Sequence, residues 1–344
     1  MRAMTSAERV GTVLRGGEPD RVPWLLLVTL HGARELGVSI EEYFSDPERV
    51  VEGQLRMRRR YRHDCLYGFF HAAIEAEAWG VEVLYRDDGP PNAGAPLARR
   101  LDDVLRLEAP RVRDSACLRK VLSALVALKA RSGGDVPVIG VALSPYSLPV
   151  MQLGFERYLE LLHERRDLLA RLLAMNEEFC VEWANAQLDA GADALAYFDP
   201  VASPSIVPRE LYMATGFDTD RRTLSRIRGP AVFHFASARG LPLVDDVAST
   251  KAVALTASAL EDVGAVKAAC DGRLTVVGNL NALEMRRWTP EEAETRVKST
   301  IAKAAPGGRF MLGDNHGEIP WQVPESVLDA IAGAVERHGR YPLE

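Results

Sequence analysis

The sequence predicts an α/β fold, a (β/α)8 TIM barrel with an N-terminal helical extension and a hairpin or loop insertion near residues 71–115. Three observations predict it. Eight short apolar or β-branched runs alternate with long amphipathic segments. The runs are apolar at nearly every position, as in Val136-Pro137-Val138-Ile139-Gly140-Val141, which suits parallel strands covered by helices on their outer face. And 344 residues hold a barrel of about 250 with roughly 90 left for additions. No GxGxxG opens the first helix, so an open dinucleotide-binding sheet lacks its signature.

In chain order the strands are expected at 23–29, 65–70, 136–143, 192–199, 231–236, 252–256, 274–279 and 309–314. Helices are expected at 39–60, 116–131, 165–190, 208–228, 260–270 and 289–304. Thr289-Pro290-Glu291-Glu292 places a capping hydroxyl, a proline at the first helical position and acids in the first turn. The whole chain, 1–344, reads as a single domain. Segments 1–20 and 71–135 are then additions to the barrel, and the second covers its mouth.

Composition narrows the function classes. With 42 Lys and Arg against 48 Asp and Glu the net charge is −6, which offers no general basic field for nucleic acid or anionic lipid. Apolar stretches such as 22–30 fall well short of the ~18 residues of a membrane span. The start of the chain is polar and amphipathic, unlike a secretory signal. Cys65, Cys117, Cys180 and Cys270 form no CxxC pair and read as reduced thiols, so a cytoplasmic protein is expected.

Barrel chemistry collects where the strands end. Thr29 and His31 follow the first strand, His71 the second, and Ser144 and Tyr146 the third. Asp199 ends the fourth, His234 the fifth and Asn279 the seventh, while Asp314, His316 and Glu318 with nearby Trp321 follow the eighth. His234 alternates with Val232 and Ala236, so it should point into the mouth. Asp199 should orient a histidine or serve as acid or base, or else cap the turn after it. Asn279 reads as a substrate contact or as a hold on its own turn, Tyr146 as a substrate contact, and Trp321 as a stacking surface or a loop-packing residue. His234 and His316 with a carboxylate such as Asp314 or Glu318 would suit a catalytic zinc. Glu75 and Glu77 lie two apart, so at most one of them faces the mouth.

Several segments together resemble the uroporphyrinogen decarboxylase superfamily, and within it the corrinoid-dependent methyltransferases. They are Asp20-Arg21-Val22-Pro23, Gly37 to Tyr43 with Asp46-Pro47, Glu75 to Gly80, Ala190-Gly191-Ala192-Asp193, Asp199-Pro200 with Ala202-Ser203, Gly278-Asn279, and His316-Gly317 with Ile319-Pro320. The resemblance implies a barrel whose mouth receives a small substrate and the corrinoid (cobalamin) of a partner protein. Relatives that use coenzyme M hold zinc with a His-x-Cys pair and a later Cys. Here those positions read His234-Phe235-Ala236 and His316, so both thiolates are missing and coenzyme M is disfavoured.

The decarboxylases share His316-Gly317 but carry an arginine-rich grip for propionates, where this chain has Leu30-His31-Gly32-Ala33-Arg34. The expected function is therefore methyl transfer between a small methoxy- or methylamine-type compound, or another acceptor, and a corrinoid protein. The expected catalytic residues are His234, His316, Asp199 and Asp314. Asn279, Tyr146, His71, Trp321 and Glu318 are the expected substrate contacts, and His234 and His316 the tentative zinc ligands. The alternatives are a uroporphyrinogen-type decarboxylase and a decayed tetrapyrrole- or corrinoid-binding protein.

Overall fold

The computed structural model describes residues 3–343. Met1, Arg2 and Glu344, which the expected extents 1–20 and 1–344 include, lie outside the described residues. Ten strands occur among them: β1 (Trp24–Leu25), β2 (Leu66–Tyr67), β3 (Val83–Arg86), β4 (Gly89–Ala93), β5 (Val138–Leu143), β6 (Ala194–Phe198), β7 (Ala231–His234), β8 (Ala254–Thr256), β9 (Thr275–Leu280) and β10 (Phe310–Asp314). Eight form one parallel sheet in the order β1-β10-β9-β8-β7-β6-β5-β2. With helices between successive strands this is the (β/α)8 barrel. The other two, β3 and β4, pair antiparallel as the expected hairpin within 71–115.

A two-residue β1 beside a two-residue β2 leaves little ladder at the seam, and the backbone and side chain of Asp64 supply the rest. Asp64 donates its N–H to the Trp24 carbonyl at 2.9 Å, and its Oδ2 accepts the Trp24 N–H at 3.0 Å. The same carboxylate, fully buried, receives Ser6 Oγ, Arg9 Nη1 and Arg21 Nη1, each at 2.7 Å. The N-terminal helix Ser6–Leu14, opened by a Thr5–Glu8 capping box, thereby reaches the barrel floor. Its Val10 and Val13 pack there against Ala254, Val277 and Met311.

Register sorts the strand residues as the pleat requires. Ile139 and Val141 of β5 and Ala196 of β6 cluster inside the barrel with Leu27, Cys65 and Tyr67. Leu195 and Tyr197 of β6 and Phe233 of β7 turn outward to the main core under the helices.

The first two expected strands are longer than those formed, because the chain after Leu25 turns at once, with Val28 N–H bonding to the Leu26 carbonyl. Two expected helices are each broken in two. The 39–60 stretch divides into Ile40–Ser45 and Pro47–Tyr61, since Asp46 ends one and caps the next with Pro47 at its first position. The 208–228 stretch divides into Arg209–Thr215 and Phe217–Arg226 at Gly216, where a Cβ would stand 2.5 Å from the Tyr146 ring. The helix Glu325–His338, which packs on Pro290–Ala304, was not expected.

Candidate active site

At the C-terminal ends of the strands lies a cavity of about 420 Å³. Its walls are mostly apolar: Phe69 after β2, Val141 and Leu143 of β5, Met151, Phe198 at the end of β6, and Ala236 after β7. The segment 316–322 after β10 forms another wall, and the hairpin tip Asp88-Gly89-Pro90 reaches over it. Gln322 fastens that tip by donating Nε2 to the Asp88 carbonyl at 2.7 Å. The polar lining comprises Glu75, Asp88, His316, Glu318, Gln322 and the exposed Arg286.

His316 enters this cavity on a stiffened loop. Asp314 Oδ2 accepts the backbone N–H of His316 at 2.8 Å and of Gly317 at 3.0 Å, and His316 Nδ1 lies 2.6 Å from Ser237 Oγ. Gly317, at φ +121°, leaves no room for a Cβ, which would meet the Phe198 ring at 2.8 Å. Asp314 is thus committed to shaping the loop, and burial pushes its carboxyl upward.

Glu318 Oε1 accepts the Thr29 hydroxyl and, at 2.9 Å, the Leu30 N–H. Burial, aided by the charge of Asp314, raises its carboxyl to about 8. The consequence for stability follows from proton counting. The folded state holds a proton on Glu318 that the unfolded chain releases near 4.5, so the stability this group contributes is greatest at low pH and declines as pH rises from 4.5 toward 8. Glu318→Gln should remove that decline, raising stability above pH 8 by on the order of a few kcal/mol relative to wild type. Urea midpoints taken on either side of this window check it, and parallel profiles for the two proteins would refute it.

His234 lies beneath the cavity wall with its ring stacked on Phe198 at 3.9 Å and 14°. Its Nδ1 accepts the Ala236 N–H at 2.9 Å, and burial, with the nearby His316, lowers its pKa to about 3. Trp321 does line the cavity, and Arg34 is stacked on its ring at 4.3 Å. That stacking, with Arg34 also donating to the Trp321 and Val323 carbonyls, keeps the guanidinium out of the lining.

Besides His234 and Asp314, four more residues expected at the site do not line the cavity, because other groups claim them. Asp199 is buried with Oδ1 accepting from Ser147 Oγ at 2.6 Å, near Asp220, whose carboxyl oxygens accept the Tyr197 and Tyr212 hydroxyls. Burial and the charge of Asp199 push the Asp220 carboxyl well above the usual carboxylate range. Tyr146 bonds Thr215 Oγ1 at 2.9 Å. Asn279 donates Nδ2 to the Ser258 and Glu261 carbonyls at 2.9 and 3.0 Å. His71 is packed between Phe44 and Tyr85, with Nε2 3.4 Å from Glu77. His31 likewise bonds outward, to the Pro320 carbonyl at 3.1 Å.

The expected zinc set does not assemble. Among the described residues no three His, Cys, Asp or Glu side chains converge as a metal site, since Asp314 is taken by backbone N–H groups and Glu318 by Thr29 and Leu30. Of the two neighbouring acids, Glu75 is the one that reaches the cavity, while Glu77 stays half-exposed beside His71. The aromatic walls Phe69 and Phe198, and Arg286, carried no signal in the sequence beyond their place near strand ends.

Residues 5–338 match the family model of uroporphyrinogen decarboxylase (URO-D). The chain belongs to the uroporphyrinogen decarboxylase family. This family member is similar to relatives of two activities. It is 26% identical over 305 residues to the uroporphyrinogen decarboxylase of Herminiimonas arsenicoxydans, covering 83% of this chain and 82% of that one. It is 23% identical over 345 residues to the methylcobamide:CoM methyltransferase MtaA of Methanosarcina barkeri, covering 98% and 99%. A methyltransferase structure from Methanosarcina mazei superposes with a TM-score of 0.86 at 20% identity, over 97% of this chain and 99% of that one, so the barrel and its additions share one fold. No helix among the family member's described residues is long and apolar enough to cross a membrane, and its four cysteines are free and buried.

Proposed function

We propose that this chain is a corrinoid-dependent methyltransferase, moving a methyl group between a small methoxy- or methylamine-type compound and a corrinoid carried by a partner protein. The observation that carries the reading is the charge of the mouth. Arg286 is the one cation among the residues lining the cavity, and it is exposed at the rim. A porphyrinogen with several carboxylates needs several cationic forks, which this lining does not provide. A small, nearly uncharged methyl donor suits the apolar walls. The end-to-end similarity to the Methanosarcina barkeri methyltransferase supports the same reading.

The cobalt centre of the corrinoid would supply the nucleophile that takes the methyl. The residues of this chain hold the donor: His316 and Glu318 offer hydrogen bonds to its polar end, and Phe69, Phe198 and Trp321 flank its body. Among the described residues no third His, Cys, Asp or Glu joins His234 and His316, so help for the leaving heteroatom is assigned to acids of the lining. We place the protein in the cytoplasm, as one barrel domain with 1–20 and 71–135 added.

The test is incubation of the protein with chemically reduced cobalamin and a panel of methoxyarenes and methylamines, followed spectroscopically. Methylcobalamin formation is expected with at least one donor. Its absence with all of them, together with carbon dioxide release from a uroporphyrinogen, would establish the second reading, decarboxylation, which His316-Gly317 and the decarboxylase relatives favour.

A further inference from the structure

We propose that Glu75 is the acid that protonates the leaving heteroatom of the methyl donor; this assignment rests on the methyltransferase reading above. Methyl transfer from an ether expels an alkoxide or phenoxide, a poor leaving group unless it receives a proton. Of the two carboxyls expected to give it, Asp199 lies outside the cavity bound to Ser147, and Asp314, also outside, is held by the His316 and Gly317 N–H groups. Glu75 sits in the short helix Ile74–Ala78 after β2 and lines the cavity while remaining 2% exposed.

Its geometry selects which oxygen carries the proton. Leu143 N–H, at the end of β5, and Trp183 Nε1–H both donate to Oε1, at 3.1 and 3.3 Å. An oxygen accepting two N–H bonds is a poor site for a proton, so Oε2 carries it, and Oε2 is the atom the side chain has left to offer a bound donor. Among the described residues no cation pairs with either oxygen; the two N–H donors are neutral, and burial raises the carboxyl to about 7. A general acid works best when its pKa lies near the working pH. In the step, the Oε2–H bond of Glu75 breaks and its proton joins the heteroatom. The carbon–heteroatom bond breaks with its electron pair going to that heteroatom, and the methyl passes to the reduced corrinoid. Glu75, left as carboxylate, regains its proton from solvent.

Glu75→Gln keeps an oxygen for Leu143 and Trp183 and removes only the acidic proton. With anisole as donor the variant should lose about 10²–10⁴-fold in turnover. With para-nitroanisole, whose phenoxide leaves without help, it should stay within a few-fold of wild type. The wild-type rate with anisole should fall as pH rises through about 7. Equal losses with both donors, or no loss with anisole, would overturn the assignment. A second readout needs no corrinoid. In the wild-type minus Glu75→Gln infrared difference spectrum, where the protonated carboxyls of Glu318 and Asp220 cancel, a carboxyl band should be present below pH 7 and shift when anisole binds. If no donor reacts, the methyltransferase reading fails by itself, whereas a missing or unresponsive band removes Glu75 whatever the reaction.

Discussion

Asp64→Ala should cost about 3–5 kcal/mol of folding stability, the range found when one partner of a buried ion pair is removed. The reason is the number of groups that converge on one fully buried carboxylate. Arg9 and Arg21, each under a tenth exposed, would lose their shared anion, and the Trp24 N–H and Ser6 hydroxyl would lose an acceptor. Asp20 holds Arg9 at 2.7 Å and Glu336 holds Arg21 at 3.2 Å, so neither cation is stranded altogether. Asp64→Asn, which can still accept a hydrogen bond, should cost less than the alanine variant. Urea unfolding measures both. A loss below about 1 kcal/mol for Asp64→Ala would mean that apolar packing alone holds the seam.

His316→Ala should lower kcat/KM for a methoxy donor by roughly 10–100-fold, the equivalent of a strong hydrogen bond made in the transition state. Its ring is held by Ser237 Oγ and its loop by two N–H bonds to Asp314, so it meets a ligand already oriented. Ser237→Ala keeps the imidazole but frees the ring, and should show a smaller loss that appears mainly in kcat. Circular dichroism should be unchanged for both. Wild-type kinetics in His316→Ala would show that the imidazole does not meet the substrate.

The strand order could be read from the sequence because each barrel strand is a short apolar run with its own following helix, and β5 to β10 formed close to where those runs lie. The breaks at Asp46 and Gly216 show two kinds of failure. The first carries a local cap and proline that helical periodicity reads straight through. The second depends on the Tyr146 ring, which only the folded chain brings near. The mouth divides in the same way. Being at a strand end was enough to bring His316, Glu318 and Trp321 to the cavity. It could not reveal that Ser147, Thr215 and the Ser258 carbonyl would claim Asp199, Tyr146 and Asn279. Glu75 is the converse case, since its character comes from Leu143 and Trp183, 68 and 108 positions away.

Closing the barrel through Asp64 has a consequence for self-association. A parallel sheet that fails to close exposes two free margins of unpaired N–H and C=O groups, the usual template on which another chain can add. Here those margins would belong to β1 and β2, each only two residues long. So short a margin recruits poorly. By closing through one backbone bond and the Asp64 carboxylate, the fold keeps strand length away from the one place where an opened barrel would be sticky. Variants at Asp64 should accordingly unfold without joining through that opening.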